Sequence, residues 1–154
     1  MAITCCFDFG NTRKKCAVFN GREMTDLLVM EDDSVASLRH ILEIYKPERS
    51  ILSSVINHDK AVETLLTAET RFHKLDHTSL LPITTPVGKP ETTGADRLGL
   101  VVAAADLIPG KNNLVIGLGS AITYNFINKF NQFLGGGISP GLEMRFKSLN
   151  SFTD

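Results

Sequence analysis

Three short stretches hold residues whose types and spacing could do chemistry. In the first, Asp8 ends an apolar, β-branched run over 3–7 and is followed by Gly10, Asn11 and Thr12. Glycine and asparagine tolerate the tight backbone that reverses a strand. The amides of Gly10, Asn11 and Thr12 can then point at an anion, as successive N–H groups in a turn do. A phosphate sits well against them, and Asp8 is placed to hold a metal-bound water beside it. A plain hairpin with a surface aspartate is the competing reading, because short motifs match by chance often.

The second stretch repeats the first. Leu114-Val115-Ile116-Gly117-Leu118-Gly119-Ser120-Ala121-Ile122-Thr123 is again an apolar strand, then a glycine and a polar residue, then a β-branched strand. Gly119 falls where Gly10 falls and Ser120 where Asn11 falls, whereas Gly117 stands where the first copy has Asp8. Two such clamps predict two related lobes gripping a nucleotide between them. In the third stretch Asp96 and Arg97 follow Gly94 and Ala95 at a helix start, where the positive end of the macrodipole favours a carboxylate. An aspartate there can cap the helix. It can also take the proton of an attacking hydroxyl, beside a guanidinium that binds an anionic substrate.

The elements that must position these residues read as follows. A strand over 14–19 completes the first hairpin, Asn20-Gly21 is a strong turn signal, and a third strand covers 22–30. Asp32, Asp33 and Ser34 offer caps to a helix with an apolar face of Val35, Leu38, Ile41, Leu42 and Tyr45, which Pro47 stops. A buried strand over 50–55, a helix over 59–67 and a weaker strand over 71–75 come next. Residues 82–93 hold three prolines and form a loop. In the helix after it, Leu98, Val101, Val102 and Ala105 share one face, and Pro109-Gly110 closes it. The order β-β-β-α-β-α-β-α predicts a mixed-sheet α/β layer fold, the order of a ribonuclease H-like, actin-like lobe.

Residues 111–113 are a polar linker, which predicts a first lobe over 1–110 and the start of a second over 111–154. The second lobe reads as a strand ending at Gly117, a strand over 121–128, a turn over 128–132, then Phe133, Leu134 and the run 135–141, and a helix over 142–149. That is too little to bury a core. It predicts a fragment, or a second half completed by another chain.

Composition excludes several classes. The 154 residues are 43% apolar and 21% charged with net charge −1 and interspersed signs, which gives no electrostatic case for nucleic acid or an anionic membrane surface. No apolar run reaches membrane-spanning length and no signal segment opens the sequence. Three cysteines, Cys5, Cys6 and Cys16, sit in predicted core strands, which predicts reduced thiols in a cytoplasm. No Cys/His spacing suggests zinc. A nuclease would need several acidic residues converging on a two-metal site, and only Asp8 is well placed.

Taken together, the motifs resemble those of type III pantothenate kinases. Asp8-Phe9-Gly10-Asn11-Thr12-Arg13-Lys14-Lys15 is similar to that family's amino-terminal phosphate motif, and Gly94-Ala95-Asp96-Arg97 to its G-x-D-R motif. Gly117-Leu118-Gly119-Ser120-Ala121 sits where its D-x-G-T-A motif belongs, and Gly135-Gly136-Gly137-Ile138-Ser139-Pro140-Gly141 resembles its G-G-x-I-x-P-G segment. The resemblance implies an actin-like fold, a cytoplasmic homodimer, and ATP- and Mg²⁺-dependent phosphorylation of pantothenate, the first step towards coenzyme A. It puts Asp8, Gly10, Asn11, Thr12 and Lys15 at the ATP phosphates, with Asp8 holding Mg²⁺ through water. Gly119 and Ser120 meet the nucleotide. Asp96 becomes the catalytic base, and Arg97 the contact to the substrate carboxylate, with the Gly94 and Ala95 backbone.

Four departures from the family pattern stand out. Gly117 removes the carboxylate that holds a monovalent cation, K⁺ or NH₄⁺, in the family. Ser120 replaces threonine and keeps the hydroxyl. Val87 stands where the family places a substrate-contacting tyrosine, and the family's carboxyl-terminal remainder has no counterpart here. These departures define the alternative expectation, a catalytically weak or inactive nucleotide-binding regulatory protein on the same fold.

Overall fold

The computed structural model describes residues 2–86 and 88–152. They divide into two compact units, Met1–Ser79 and Leu80–Asp154.

The first unit is one five-stranded mixed sheet with two helices. β1 (Ile3–Phe9), β2 (Lys14–Asn20) and β3 (Glu23–Met30) form an antiparallel meander. β4 (Arg49–Ser54) pairs parallel with β1, and β5 (Arg71–Lys74) parallel with β4, giving the order β3-β2-β1-β4-β5. β1 therefore lies in the centre. It runs two residues past the expected end at Phe7, because Asp8 and Phe9 pair with Lys15 and Lys14 on one side and with Ser53 and Ser54 on the other.

Alternation sorts the side chains of β1 by face. Cys5, Phe7 and Phe9 are buried with Cys16, Val18 and Leu52 against Leu38, Ile41 and Leu42 of α1 (Val35–Tyr45) and Val62, Leu65 and Leu66 of α2 (Lys60–Glu69). Burying each large apolar side chain of this cluster contributes roughly 1.5–3 kcal/mol. Asp8, Lys15 and Ser53 fall on the opposite face.

Both helices begin where the sequence places a cap. Ser34 accepts from the Ser37 amide and Asp59 from the Ala61 amide. Asp32 braces the first cap by accepting from Ser37 Oγ at 2.6 Å and the Ser34 amide at 2.9 Å, which lowers its carboxyl to about 2. α1 ends at Lys46 in the left-handed region, one residue before Pro47. The three thiols are free. Cys5 and Cys16 are buried, and burial pushes half-buried Cys6 up to about 11.

In the second unit, β6 (Asn113–Leu118), β7 (Ala121–Ile127) and β8 (Phe133–Pro140) form an antiparallel meander. α3 (Ala95–Leu107) packs on β6 and β7 and buries Ala95, Leu98, Val101 and Ala105. The polar stretch 111–113 thus connects two elements of one compact unit. The 82–93 loop bridges to Gln132 at Thr84 and forms a 3₁₀ turn over Pro90–Thr92.

β8 includes the glycine run. Gly136 lies so close to the Tyr124 carbonyl that a Cβ would overlap it, which is why the strand pairs tightly there. α4 (Leu142–Phe152) extends past the expected end at 149 and is exposed along its length. Among the described residues no helix is long and apolar enough to cross a membrane.

Candidate functional site

The first hairpin places a half-buried carboxylate between two polar neighbours. Asp8 lies opposite Lys15 on β2 and Ser53 on β4, and Ser53 Oγ donates to Asp8 Oδ1 at 3.4 Å. The connection after Phe9 is four residues, Gly10 to Arg13, with Asn11, Thr12 and Arg13 exposed. Of the amides expected to face an anion, that of Gly10 closes the turn instead, donating to Arg13 O at 3.0 Å. Two hollows in this unit lie away from Asp8, one of about 380 Å³ lined by residues that include Arg39, Leu42, Glu43 and Lys46, the other of about 620 Å³ lined by residues that include Lys60, Thr64 and Lys74.

Beside the carboxyl end of β4 sits a second polar chain. Ser54 Oγ and His58 Nδ1 are 2.9 Å apart, His58 Nε2 and Glu63 Oε1 2.9 Å, and Lys74 Nζ donates to Glu63 Oε1 at 2.7 Å. The Lys74 ammonium first, and then the His58 ring, hold the Glu63 carboxyl below its usual range. Among the described residues, no three His, Cys, Asp or Glu side chains come together as a metal cluster.

In the second unit, Gly94 is the N-cap of α3, and no side chain closes this helix end. Asp96 is half-buried in the first turn, two residues after the cap position. Arg97 is turned onto β7. Its Nε donates to Asn125 Oδ1 at 2.6 Å, Nη2 donates to the Tyr124 carbonyl at 3.4 Å, and its Cζ lies 5.7 Å from the centre of the Phe133 ring. Asn125 is fully buried and donates to Val115 O and to Thr123 Oγ1, each at 3.2 Å. These partners were not singled out from the sequence. The signal was there in Thr123 and Asn125, two polar residues two apart on one face of a strand, but the more apolar face of Ile122, Tyr124 and Phe126 masks it.

Gly117 lies opposite Thr123. A Cβ at Gly117 would come within 2.6 Å of Thr123 Oγ1 and 3.0 Å of Leu100 Cδ1, so threonine fills the space that a longer side chain would need. The turn that follows uses the Gly119 amide to reach Ala121 O at 3.1 Å, and the Gly141 amide reaches Ser120 O at 2.9 Å. Only glycine fits at 141, since a Cβ there would overlap the Gly119 and Ser120 carbonyls. The third and fourth sequence motifs are thus brought together at one end of the sheet. Arg145 of α4 ties down the same corner, bonding Pro140 O at 2.9 Å and Ser139 Oγ at 2.7 Å. Val87 lies outside the described residues.

A mixed five-stranded sheet joined to a three-stranded antiparallel one, with polar groups gathered at the hairpin turns, defines an α/β protein consistent with a kinase fold. Comparison with known proteins narrows this. The family profile for type III pantothenate kinase matches residues 4–154, and the chain belongs to that family. It is 41% identical over 148 residues to the type III pantothenate kinase of Christiangramia forsetii, covering 95% of this chain and 61% of the relative. It is 39% identical over 147 residues to that of Bacteroides fragilis, covering 95% and 60%. With that of Phocaeicola vulgatus it shares 38% over 148 residues, covering 96% and 61%. The chain therefore spans about three-fifths of the length of the curated relatives it matches.

Proposed function

We propose that this chain carries the phosphate-binding and substrate-binding motifs of an ATP-dependent pantothenate kinase, built on actin-like lobes. The observation that carries the reading is the match across residues 4–154 to a family named for that activity. The quoted relatives all bear the kinase name rather than that of a regulator.

The chemistry asks little covalent work of the protein. The pantothenate hydroxyl oxygen attacks the γ-phosphorus of ATP and its bond to phosphorus forms. The bond from that phosphorus to the β–γ bridging oxygen breaks, and ADP leaves. Asp96 takes the hydroxyl proton, while Arg97 beside it meets the substrate carboxylate with the Gly94 and Ala95 backbone. The same reading assigns Asp8, Gly10, Asn11, Thr12 and Lys15 to the phosphates, and Gly119 and Ser120 to the nucleotide. The half-buried Asp8 carboxylate beside Ser53 suits a water of Mg²⁺. That ion, when bound, neutralises phosphate charge.

The residues at 117 do not suit the family's monovalent cation. Glycine offers no side-chain oxygen, and the Thr123 hydroxyl occupies the adjoining space. No step here depends on such an ion. A cytoplasmic homodimer is part of the same proposal.

The test is pantothenate-dependent release of ADP. With activity present, Asp96→Asn is expected to lower turnover by roughly two to four orders of magnitude and leave ATP affinity near normal. ATP hydrolysis indifferent to pantothenate, or full activity in Asp96→Asn, would overturn the assignment.

A further inference from the structure

Arg97 is held in a way that its sequence context does not explain. A guanidinium has three edges. Here the edge that carries Nε is taken by Asn125 Oδ1 at 2.6 Å, with Nη2 reaching the Tyr124 carbonyl at 3.4 Å, and one face lies over Phe133. The Nη1/Nη2 end is the edge left to present two parallel N–H groups to a carboxylate.

The acceptor that fixes this pose is itself locked. Asn125 is fully buried, and its amide nitrogen donates to Val115 O and Thr123 Oγ1, both at 3.2 Å. The Val115 carbonyl, an acceptor only, decides which end of the side-chain amide is oxygen, because a flipped amide would set NH₂ against the guanidinium and its oxygen against that carbonyl. Thr123 Oγ1 stands close to Gly117, in space that any side chain at 117 would contest. The small residue at 117, the hydroxyl at 123 and the amide at 125 thus form one chain ending on Arg97 Nε.

We propose that Asn125 is the positioning residue for Arg97, turning the Nη1/Nη2 edge of the guanidinium towards a substrate carboxylate, with Thr123 and Val115 fixing the amide. It rests on the reading of Arg97 as the group that meets pantothenate. A purely structural Asn125 would affect all ligands alike. A positioning one acts on the carboxylate-bearing substrate alone.

The experiment compares wild type, Asn125→Leu, Asn125→Asp and Arg97→Lys in KM for pantothenate, KM for ATP and kcat, with the Arg97 Nε–H resonance followed by ¹⁵N–¹H NMR. Asn125→Leu removes the acceptor and is expected to raise the pantothenate KM about tenfold or more, the scale of a hydrogen bond to a charged group, with the ATP KM unchanged. Asn125→Asp keeps an oxygen facing Nε but sets a second one against the Val115 carbonyl, and is expected to recover part of the pantothenate KM lost in Asn125→Leu. In an Arg97→Lys background, Asn125→Leu adds nothing further. An unchanged pantothenate KM in Asn125→Leu, or equal rises for both substrates, overturns the proposal. Should Asn125→Leu not fold, Asn125→Ser, too short to reach Nε, takes its place with the same expectation. If wild type neither turns over nor binds pantothenate, the kinase reading fails and the proposal that rests on it falls too. Where wild type binds pantothenate, a slowly exchanging Nε–H that is lost in the Leu or Ser variant is expected, and an unprotected Nε–H in wild type overturns the proposal alone.

Discussion

The two glycine-turned hairpins, β1–β2 and β6–β7, answer the same geometric problem with opposite chemistry. In the first, the position two residues before the turn glycine is Asp8, facing Lys15 across the ladder and Ser53 on the other side. In the second it is Gly117, facing Thr123, whose hydroxyl fills the space a side chain would take. The turns differ as well, since Phe9 pairs with Lys14 but Leu118 pairs with Ile122, one residue sooner. One hairpin keeps an ionisable group at the turn. The other has moved its polarity inward, to neutral Thr123 and Asn125 beneath a guanidinium. Related strand–turn–strand frames therefore need not carry related charge.

If the contrast is functional, the largest effect should come from removing the charge of the first hairpin. Asp8→Asn is expected to lower pantothenate-dependent turnover by roughly a hundredfold or more, the scale of losing one preorganised electrostatic group, with little loss of stability. Steady-state kinetics beside a urea melt would show this, and unaltered turnover would erase the distinction between the hairpins.

The reverse change tests the second hairpin. Gly117→Asp forces a Cβ against Thr123 Oγ1 and Leu100 and is expected to destabilise by about 1–3 kcal/mol, as overpacking does. Adding Thr123→Ala should recover part of that loss in the same urea melts. Strict additivity of the two changes would mean that they do not share the space.

Acid should separate the two regions. Glu63, below the carboxyl end of β4, has a lowered pKa because of Lys74 and His58. A depressed carboxyl stabilises above its ordinary value of 4.5 and loses that contribution as pH falls through the lowered one. The Arg97–Asn125–Thr123 chain contains no carboxylate. Amide exchange followed from neutral pH downward should loosen α2 and β5 before the Asn125 side-chain protons. The reverse order would contradict this reading.

The smallest effect expected is no effect. Replacing K⁺ by a bulky organic cation should leave wild-type turnover unchanged, because Gly117 supplies no carboxylate for the ion. Strong activation by K⁺ would show that backbone oxygens suffice.

The first unit was legible because its signals are local. Asn20-Gly21, the Ser34 cap and Pro47 each mark a boundary, and the apolar faces of α1 and α2 are periodic. β1 ran longer than read, since pairing on both sides holds Asp8 and Phe9 in the sheet regardless of the change in polarity. In the second unit periodicity misleads. Leu114, Ile116 and Leu118 are exposed while Val115, Gly117, Thr123 and Asn125 face α3, so the more apolar face is the outward one. The glycines of β8 have no side chains to show a period at all. Arg97 was legible as chemistry, but Asn125, 28 residues away, becomes its partner only through folding.

The central place of β1 also orders the assembly of the first unit. Its antiparallel neighbour is a few residues off, closing on the microsecond scale of a hairpin. Its parallel neighbour is distant, with Asp8 and Ser53 separated by 45 residues, and that closure carries a larger entropic cost. A chain growing from its amino end has β1, β2 and β3 available before β4 exists. Until Arg49–Ser54 arrives, one edge of β1 is unpaired, and Phe7 and Phe9 lack the helices that cover them. Nascent chains of this unit are therefore stickiest at the strand that leads into the 10–13 turn, the interval in which chaperone protection matters most.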